Sequence, residues 1–526
     1  MDIEAPRHRL CEATVAFRVL ATVALVLMTA VSFDYGITGD EPDQDEYGHL
    51  VYAYYRSGFT DRAALEFKHV YLYGALFDVL CVVAQHISPL DRFDTRHLLN
   101  AIVGWAGMVY AARAAGLLMG PRASCIALLM LVVSPQYFAH CMNNPKDIPF
   151  ATAHIAAVFY LLSMRSAHPF AAGALLAKIA AACACAIGVR FGGLLLVGYL
   201  WLALGLRLLL HGWRRFGDVV GVCALAVCAS ILAVLAGTLF CPWAIQAPLI
   251  RPFVALSTLS HFPDSAVIPV LFAGHYFFGS GVPATYVPTL LAITTPITIL
   301  VAGLASVVML GVFRGERLIR FGMLWFALVF PVLYVIASHA ALYNGLRHLL
   351  FVYPILVILA AVACEAMLRW AGRRPRVRWG VVVVLGLGLA DPLRFHFVNH
   401  PNQTAYFNSL VGGLPGAFGR FDVDYWGNSI KQALQWTMAQ GVAGRPIHVT
   451  GPEWPLRYVM GSYVEQYPRL RFAGVRKQRD ADYWVEPLFF DRKTQEQALR
   501  SGTILHAITA DGVPLCLIKA GGRAVD

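Results

Sequence analysis

A mainly α, polytopic bundle of membrane-spanning helices carrying a small α/β domain outside the membrane is the fold this sequence predicts. Three observations predict it. Of 526 residues, 58% are apolar and 14% are charged, against about 25% charge in an ordinary soluble domain. Apolar runs of about 20 residues, the length needed to cross hydrocarbon, recur along most of the chain. After residue 392 the runs shorten, and turn residues and charges return. This composition excludes a disordered chain and a small disulfide scaffold.

The runs predict eleven crossings, at 17–36, 97–119, 122–142, 148–164, 171–189, 192–210, 218–241, 287–311, 319–337, 347–368 and 378–392. The first is followed by Ser32-Phe33-Asp34-Tyr35, which lacks the small residues of a cleavage site, so it reads as a retained anchor. Basic residues gather at Arg7 and Arg9, Arg113 and Arg122, Arg165, Arg207 with Arg214 and Arg215, Arg314 with Arg317 and Arg320, and Arg369 to Arg378. Placing all of them in the cytoplasm puts the N-terminus inside and the C-terminus outside. Residues 70–90 are apolar enough to cross, yet they carry Asp78, Gln85 and His86, which are costly in hydrocarbon. A juxtamembrane helix there keeps the later basic clusters on one side. The chain thus divides into a membrane domain, 1–392, and an outer α/β domain, 393–526. In the latter, a helix is expected at 428–440, capped by Asn428 or Ser429 and ended by Gly441. Strands at 503–508 and 513–518 are joined through Asp511-Gly512, a hairpin signal.

The net charge of +11 does not point to nucleic acid, because most of the basic residues lie in short clusters between apolar runs rather than along a stripe. Most of the 11 cysteines fall inside apolar runs, where Cys acts as a small buried hydrophobe. No P-loop, HExxH, GxSxG or dinucleotide fingerprint is present.

Chemistry concentrates in two outside turns. Five carboxylates fall within residues 40–46, at Asp40, Glu41, Asp43, Asp45 and Glu46. Pro42 suits the first turn of a helix, on which Tyr47, Leu50, Val51, Tyr54 and Tyr55 share a face. Asp40 and Glu41 at its start can serve as a general base or hold a divalent cation, or they can simply be a solvated cap. The second turn, Asn143-Asn144-Pro145-Lys146-Asp147-Ile148-Pro149, offers Lys146 and Asp147, the latter also fit for capping. With 70–90 not crossing, both motifs share one face. Outside basic residues near the membrane are few: Lys146, Arg190, Arg251 and the pair Arg347-His348. They suit phosphate oxygens or headgroup snorkelling. The long loop 242–286 holds His261, Asp264, His275 and Tyr276. His275-Tyr276 before Phe277-Phe278-Gly279 reads as an amphipathic lip over a lipid-facing cleft. The tail motif Phe421 to Gly427 suits either closure of a site or a domain core.

Together these residues resemble the GT-C superfamily of integral-membrane glycosyltransferases, in the branch of protein O-mannosyltransferases and lipid A aminoarabinose transferases. The likeness covers roughly residues 10–390. It rests on Gly39-Asp40-Glu41-Pro42 after the first span and on Lys146-Asp147 followed by Pro149. The tail does not fit the β-trefoil of some O-mannosyltransferases. The resemblance implies a sugar donor on a polyprenyl phosphate and transfer on the non-cytoplasmic face, usually with inversion. The acceptor is a hydroxyl of a glycan, lipid or protein. Asp40 matches the acidic residue that activates the acceptor, Glu41 supports it, and Asp147 matches the second acidic site. Any divalent metal would fall to Asp40, Glu41 and Asp147. Lys146, Arg347, His348 and Arg190 are placed to offset the charge of the leaving phosphate. Tyr47, His275 and Tyr276 are assigned to the substrate cleft, and the setting is a bacterial inner membrane. The alternative is a transporter or flippase for a lipid-linked glycan, which needs ionisable pairs deep in the spans. Lys178 and Glu365 are the main residues of that kind.

Overall fold

The computed structural model describes residues 7–164, 169–211, 216–260, 262, 268–372, 374–441, 444–453, 458–473, 478–488 and 492–525. Arg165, Arg214, Arg215, His261, Asp264 and Arg373 lie outside the described residues.

Seven described helices are long and apolar enough to cross a membrane: Cys11–Asp34, Arg92–Met119, Phe191–Leu209, Val219–Thr238, Gly315–Ala337, Arg347–Ala371 and Pro375–Val398. The mainly α, polytopic membrane fold stands; among the described residues seven helices, or up to nine if each of two bent pairs is one span, have the length and apolar character to cross, against the eleven runs expected. The expected span 122–142 is the pair Pro121–Val133 and Pro135–Asn143, bent by 73°. The expected span 287–311 is Tyr286–Thr294 and Ile297–Val312, bent by 118°. Each break precedes a proline. Pro135 and Pro296 lack the N–H that would continue the ladder and push the preceding residue out of helical conformation. Ser134 and Thr295 accordingly have extended ψ values of 103° and 136°. The runs expected at 148–164 and 171–189 form shorter apolar helices, Asp147–Ser163 and Gly173–Ile187.

Residues 70–90 yield a helix of 10 residues, Leu76–Gln85. At about 1.5 Å per residue it reaches about half of a hydrocarbon core. Its polar residues are spent on protein partners. Asp78 takes Nη2 of Arg96 at 2.6 Å, and Gln85 donates to Asp45 Oδ1 at 2.9 Å. Arg96 is fully buried and also faces Asp45 at 3.4 Å, so it anchors the acidic helix Glu41–Arg56 to the span Arg92–Met119. Burial lifts the Asp78 carboxyl above its ordinary range, even with Arg96 opposing. Tyr47, Val51 and Tyr54 form the buried face of the acidic helix, packed with Leu50, Tyr55 and Phe67.

The long loop carries a hairpin, β1 (Pro269–Phe272) with β2 (His275–Phe278), turned through Ala273 and Gly274 at φ 53° and 83°. The tail forms a five-stranded sheet of β3 (Ile447–Thr450), β4 (Leu470–Phe472), β5 (Tyr483–Pro487), β6 (Ile504–Ala510) and β7 (Val513–Ala520). Its order is β4-β3-β5-β7-β6, parallel around β3 and antiparallel around β7. The expected hairpin is β6–β7, with Asp511 and Gly512 at φ 43° and 75°, the left-handed pair a two-residue turn requires. The expected helix is Ile430–Gln440, but its capping differs. Ser429 holds the N-cap position without a side-chain cap, and Asp424 accepts the N–H groups of Asn428 and Ser429, just ahead of the helix, at 3.0 Å. Gly441 ends the helix in extended backbone at φ −71°. The core of the tail includes Ile430, Leu434, Val449 and Val485 together with Ile37 and Phe93 from the membrane part.

Replacing Arg96 with Met strands Asp78 and Asp45 without their buried counter-charge, which costs about 3–5 kcal/mol. The thermal midpoint of the R96M protein in detergent is expected to fall, and adding Asp45→Asn and Asp78→Asn is expected to restore part of it. A midpoint equal to wild type in R96M refutes the assignment.

Candidate functional site

The loop after the first span delivers Asp40 to the start of the helix Glu41–Arg56, with Pro42 in its first turn. Asp40 occupies the capping position, yet its side chain caps nothing. It is turned toward Arg347, whose Nη1 donates to Asp40 Oδ2 at 2.7 Å. Lys146 Nζ lies 4.0 Å from the same oxygen. Asp40 keeps 29% of its side-chain surface exposed, whereas Arg347 keeps 3%.

Arg347 is aimed by its own chain. Asn344 and Gly345 turn the backbone through left-handed values, φ 57° and 71°, immediately before it. The guanidinium then lies between two rings, 4.7 Å from the centroid of Tyr343 and 4.9 Å from that of Trp426. Such stacking suits the weakly hydrated, planar Arg group. His348 meets Tyr343 edge-on at 4.6 Å.

Asp147 opens the helix Asp147–Ser163. Its N–H donates to Asn144 Oδ1 at 2.9 Å, and Asn144 Nδ2 donates back to Asp147 Oδ2 at 3.0 Å. Arg190 Nη2 pairs with Asp147 Oδ1. Lys146 and Arg190 both lie over the ring of Tyr73, at 4.3 and 5.7 Å. Tyr73 is seated there because Gly74 passes close to Gly188: a Cβ on Gly74 would lie 2.1 Å from the Gly188 carbonyl oxygen.

Three cations and two carboxylates therefore converge from four segments, leaving one net positive charge. Burial raises the Asp40 carboxyl, but Arg347, Lys146 and Arg190 outweigh it and hold Asp40 below its ordinary 3.8. Burial pushes Lys146 below its ordinary 10.5, although Asp40 and Asp147 oppose it. The Nε–H groups of Arg347 and Arg190 are buried without a partner among the described residues. Such donors suit an anion, which the helix-end geometry and the positive balance also favour.

The other expected site residues stand apart from this cage in different ways. Glu41 is buried, its Oε2 accepting from Thr38 N–H at 2.7 Å and its Oε1 lying 3.1 Å from His97 Nε2. Tyr47 is fully buried and its hydroxyl donates to the Tyr73 carbonyl at 3.4 Å. His275 and Tyr276 lie exposed on β2. Their hairpin is tied to the tail, with Gly274 N–H on the Arg420 carbonyl at 2.9 Å and Leu271 N–H on Asp422 Oδ1 at 3.3 Å. Burial pushes the Asp422 carboxyl up to about 8. Asp40, Glu41 and Asp147 do not fit a metal site: each carboxylate is bound to a different partner, and cations lie among them. Among the described residues no three of His, Cys, Asp and Glu gather in a way that could hold a metal ion. Of the ionisable residues expected within spans, Glu365 pairs with Arg369 one turn on, at 2.7 Å.

Sequence reasoning missed Tyr73, Asn144 and His140 as parts of this site. His140 Nε2 meets the Tyr425 hydroxyl at 3.3 Å, and its Nδ1 faces Asn144 Nδ2 at 3.2 Å. Asn144 stood in the quoted second turn; Tyr73 and His140 sat inside apolar runs, where only the packed structure singles them out.

No family model and no curated relative matches the sequence. Solved structures do match. The crystal structure of ArnT from Cupriavidus metallidurans bound to undecaprenyl phosphate aligns with a TM-score of 0.51, covering 96% of this chain and 97% of that one at 14% identity. The apo Archaeoglobus fulgidus oligosaccharyltransferase aligns with a TM-score of 0.52 at 11% identity, covering 89% of this chain and 64% of that one. AglB from the same organism, in complex with an inhibitory peptide and a dolichol-phosphate, aligns with a TM-score of 0.51 at 10% identity, covering 89% and 69%. The chain shares the fold of these structures.

Alanine at Gly345 must adopt the left-handed backbone, costing roughly 1–2 kcal/mol. Its Cβ would also meet the Tyr425 ring at 3.0 Å. The G345A protein is therefore expected to melt at a lower temperature than wild type; an unchanged midpoint would show that this turn is not the constraint that aims Arg347.

Proposed function

We propose that this chain is an integral-membrane glycosyltransferase that moves a sugar from a polyprenyl-phosphate donor to an acceptor hydroxyl on a glycan, lipid or protein. Asp40 is the general base. The observation that carries the reading is the cage itself, a part-exposed carboxylate facing Arg347 and Lys146 at the ends of apolar helices. The shared fold supports it, and two of the matched structures hold lipids of the proposed class, undecaprenyl phosphate in ArnT and a dolichol-phosphate in AglB. The distribution of basic residues between spans supports a site and tail on the non-cytoplasmic face; the membrane we propose is a bacterial inner membrane.

In this reaction the acceptor oxygen attacks the anomeric carbon and its proton passes to Asp40. The bond from that carbon to the phosphate oxygen breaks on the opposite side, and its electron pair stays with the polyprenyl phosphate. One displacement inverts the anomeric carbon. Lys146, Arg190 and Arg347 bind the phosphate, and the spare guanidinium N–H groups meet the negative charge as it grows. An arriving phosphate competes for Arg347 and so loosens the carboxylate it holds. Asp147 and Asn144 keep Arg190 in place, and Glu41 shapes the loop through Thr38 and His97.

Asp40→Asn is expected to lower transfer about 10²- to 10⁴-fold while binding of undecaprenyl phosphate tightens, because the cage gains one unit of positive charge. Normal turnover in D40N removes Asp40 as the base.

The pH dependence follows from the shifts. Asp40 loses its charge only below its ordinary 3.8, so transfer has no acid limb from it between neutrality and that value. Lys146 loses its proton below its ordinary 10.5, so transfer declines on the alkaline side earlier than an exposed lysine would allow. Lys146→Arg is expected to move that alkaline limb upward in a profile of kcat/KM against pH. An unmoved limb assigns it to another group.

A further inference from the structure

The acidic loop, the second acidic turn and the tail meet at one buried amide. Asn428 is 2% exposed. Its Oδ1 accepts the N–H of Gly36 at 2.9 Å and an Nδ2–H of Asn143 at 3.0 Å. Its Nδ2 donates to the Pro401 carbonyl at 3.0 Å and to Asn402 Oδ1 at 2.9 Å. An amide offers two donor and two acceptor positions, and here all four are taken by four different residues. Its orientation is thereby fixed. Asn143 Nδ2 also donates to the Gly36 carbonyl at 2.9 Å, which closes a ring of Gly36, Asn143 and Asn428. One residue pair further along, the Thr38 hydroxyl donates to the Asn143 carbonyl at 3.1 Å.

These anchor points stand just ahead of the cage. Gly36 leads by way of Thr38 to Asp40, and Asn143 leads directly to Asn144, Lys146 and Asp147. The packing leaves the segments no room to slide. A Cβ on Gly36 would lie 2.4 Å from the Asn428 carbonyl oxygen, and the cavity between Thr38, Asn143, Trp426 and Asn428 measures only about 10 Å³. The tail is also bound to the same loop by the Tyr35 hydroxyl, which donates to Gln403 Oε1 at 2.7 Å, but that contact does not involve the second turn.

We propose that Asn428 is a positioning residue for transfer, setting the spacing between the loop that ends in Asp40 and the turn that ends in Lys146-Asp147. The tail, on this account, constrains the distance from base to phosphate in addition to the ion pairs of the cage. The role rests on the glycosyl-transfer reading given above. A misplacement of about 1 Å between reacting groups lowers turnover about 100-fold.

The test uses the full chain in vesicles. Transfer is followed as release of undecaprenyl phosphate from a sugar-bearing membrane lipid extract, and binding as the Kd of added undecaprenyl phosphate. Amide hydrogen exchange is read over 36–41 and 143–147. Asn428→Ala is expected to lower turnover about 100-fold, to keep the Kd, and to speed exchange in both segments together. Asn143→Ala reads the same node through a smaller loss, should N428A fail to fold. Tyr35→Phe, which loosens loop and tail elsewhere, is expected to lower the thermal midpoint and keep turnover. Wild-type turnover in folded N428A or N143A overturns the proposal, as does an equal loss of turnover in Y35F. A wild-type protein that releases no undecaprenyl phosphate, while N428A still frees both segments, removes the transfer reading itself and leaves Asn428 as a purely structural link.

Discussion

The contact between Asp40 and Arg347 is the constraint on which the site depends. Arg347 is almost wholly buried at the end of an apolar helix, where an unpaired charge costs several kcal/mol. Its carboxylate partner must come from another segment, because none lies nearby on its own. The same holds for Arg190, which needs Asp147. Satisfying these charges forces the ends of the first span, the second acidic turn, the stretch after Ile187 and the Asn344-Gly345 turn to converge. The compensation is incomplete. One positive charge and two spare guanidinium N–H groups remain, which is a standing attraction for an anion.

Convergence of the helix ends is supported from beside the cage and from the tail. Arg96, Asp78 and Asp45 tie the acidic helix to the span Arg92–Met119, and the short helix Leu76–Gln85 is held by the same charges. Tyr47 holds the carbonyl of Tyr73, and Tyr73 lies under both Lys146 and Arg190. The tail contributes Trp426 against Arg347 and the amide of Asn428. Because Ile37 and Phe93 belong to the core of the tail, sheet and membrane helices share hydrophobic packing as well as polar contacts. A boundary drawn at residue 392 marks a change in composition; the helix Pro375–Val398 runs through it.

Much of this was legible because it depends on short-range chemistry. Gly39-Asp40-Glu41-Pro42 announces a helix start with carboxylates at the end of a span, and the structure has that helix. Asp511-Gly512 demands a tight hairpin wherever it occurs between β-rich runs, and β6–β7 is that hairpin. The polar residues of 70–90 argued against crossing, and they are indeed used on Arg96, Asp45 and the backbone. Other features were readable yet misread. Pro135 and Pro296 lie within apolar runs whose hydropathy hides the breaks they cause. The hold of Asp424 on the N–H groups of Asn428 and Ser429, ahead of the tail helix, depends on a turn that spacing alone does not specify.

The chain's own residues determined that it is a membrane protein with acidic groups at the ends of its spans, because apolar length and turn chemistry act over a few neighbouring positions. Which cation meets which carboxylate was decided only by the fold. Arg347 and Asp40 are 307 residues apart in sequence, and their 2.7 Å contact exists because packing of distant helices brings those two ends together. Tyr73, reached through the close approach of Gly74 to Gly188, and Asn428, reached through the docking of the tail, enter the site for the same reason.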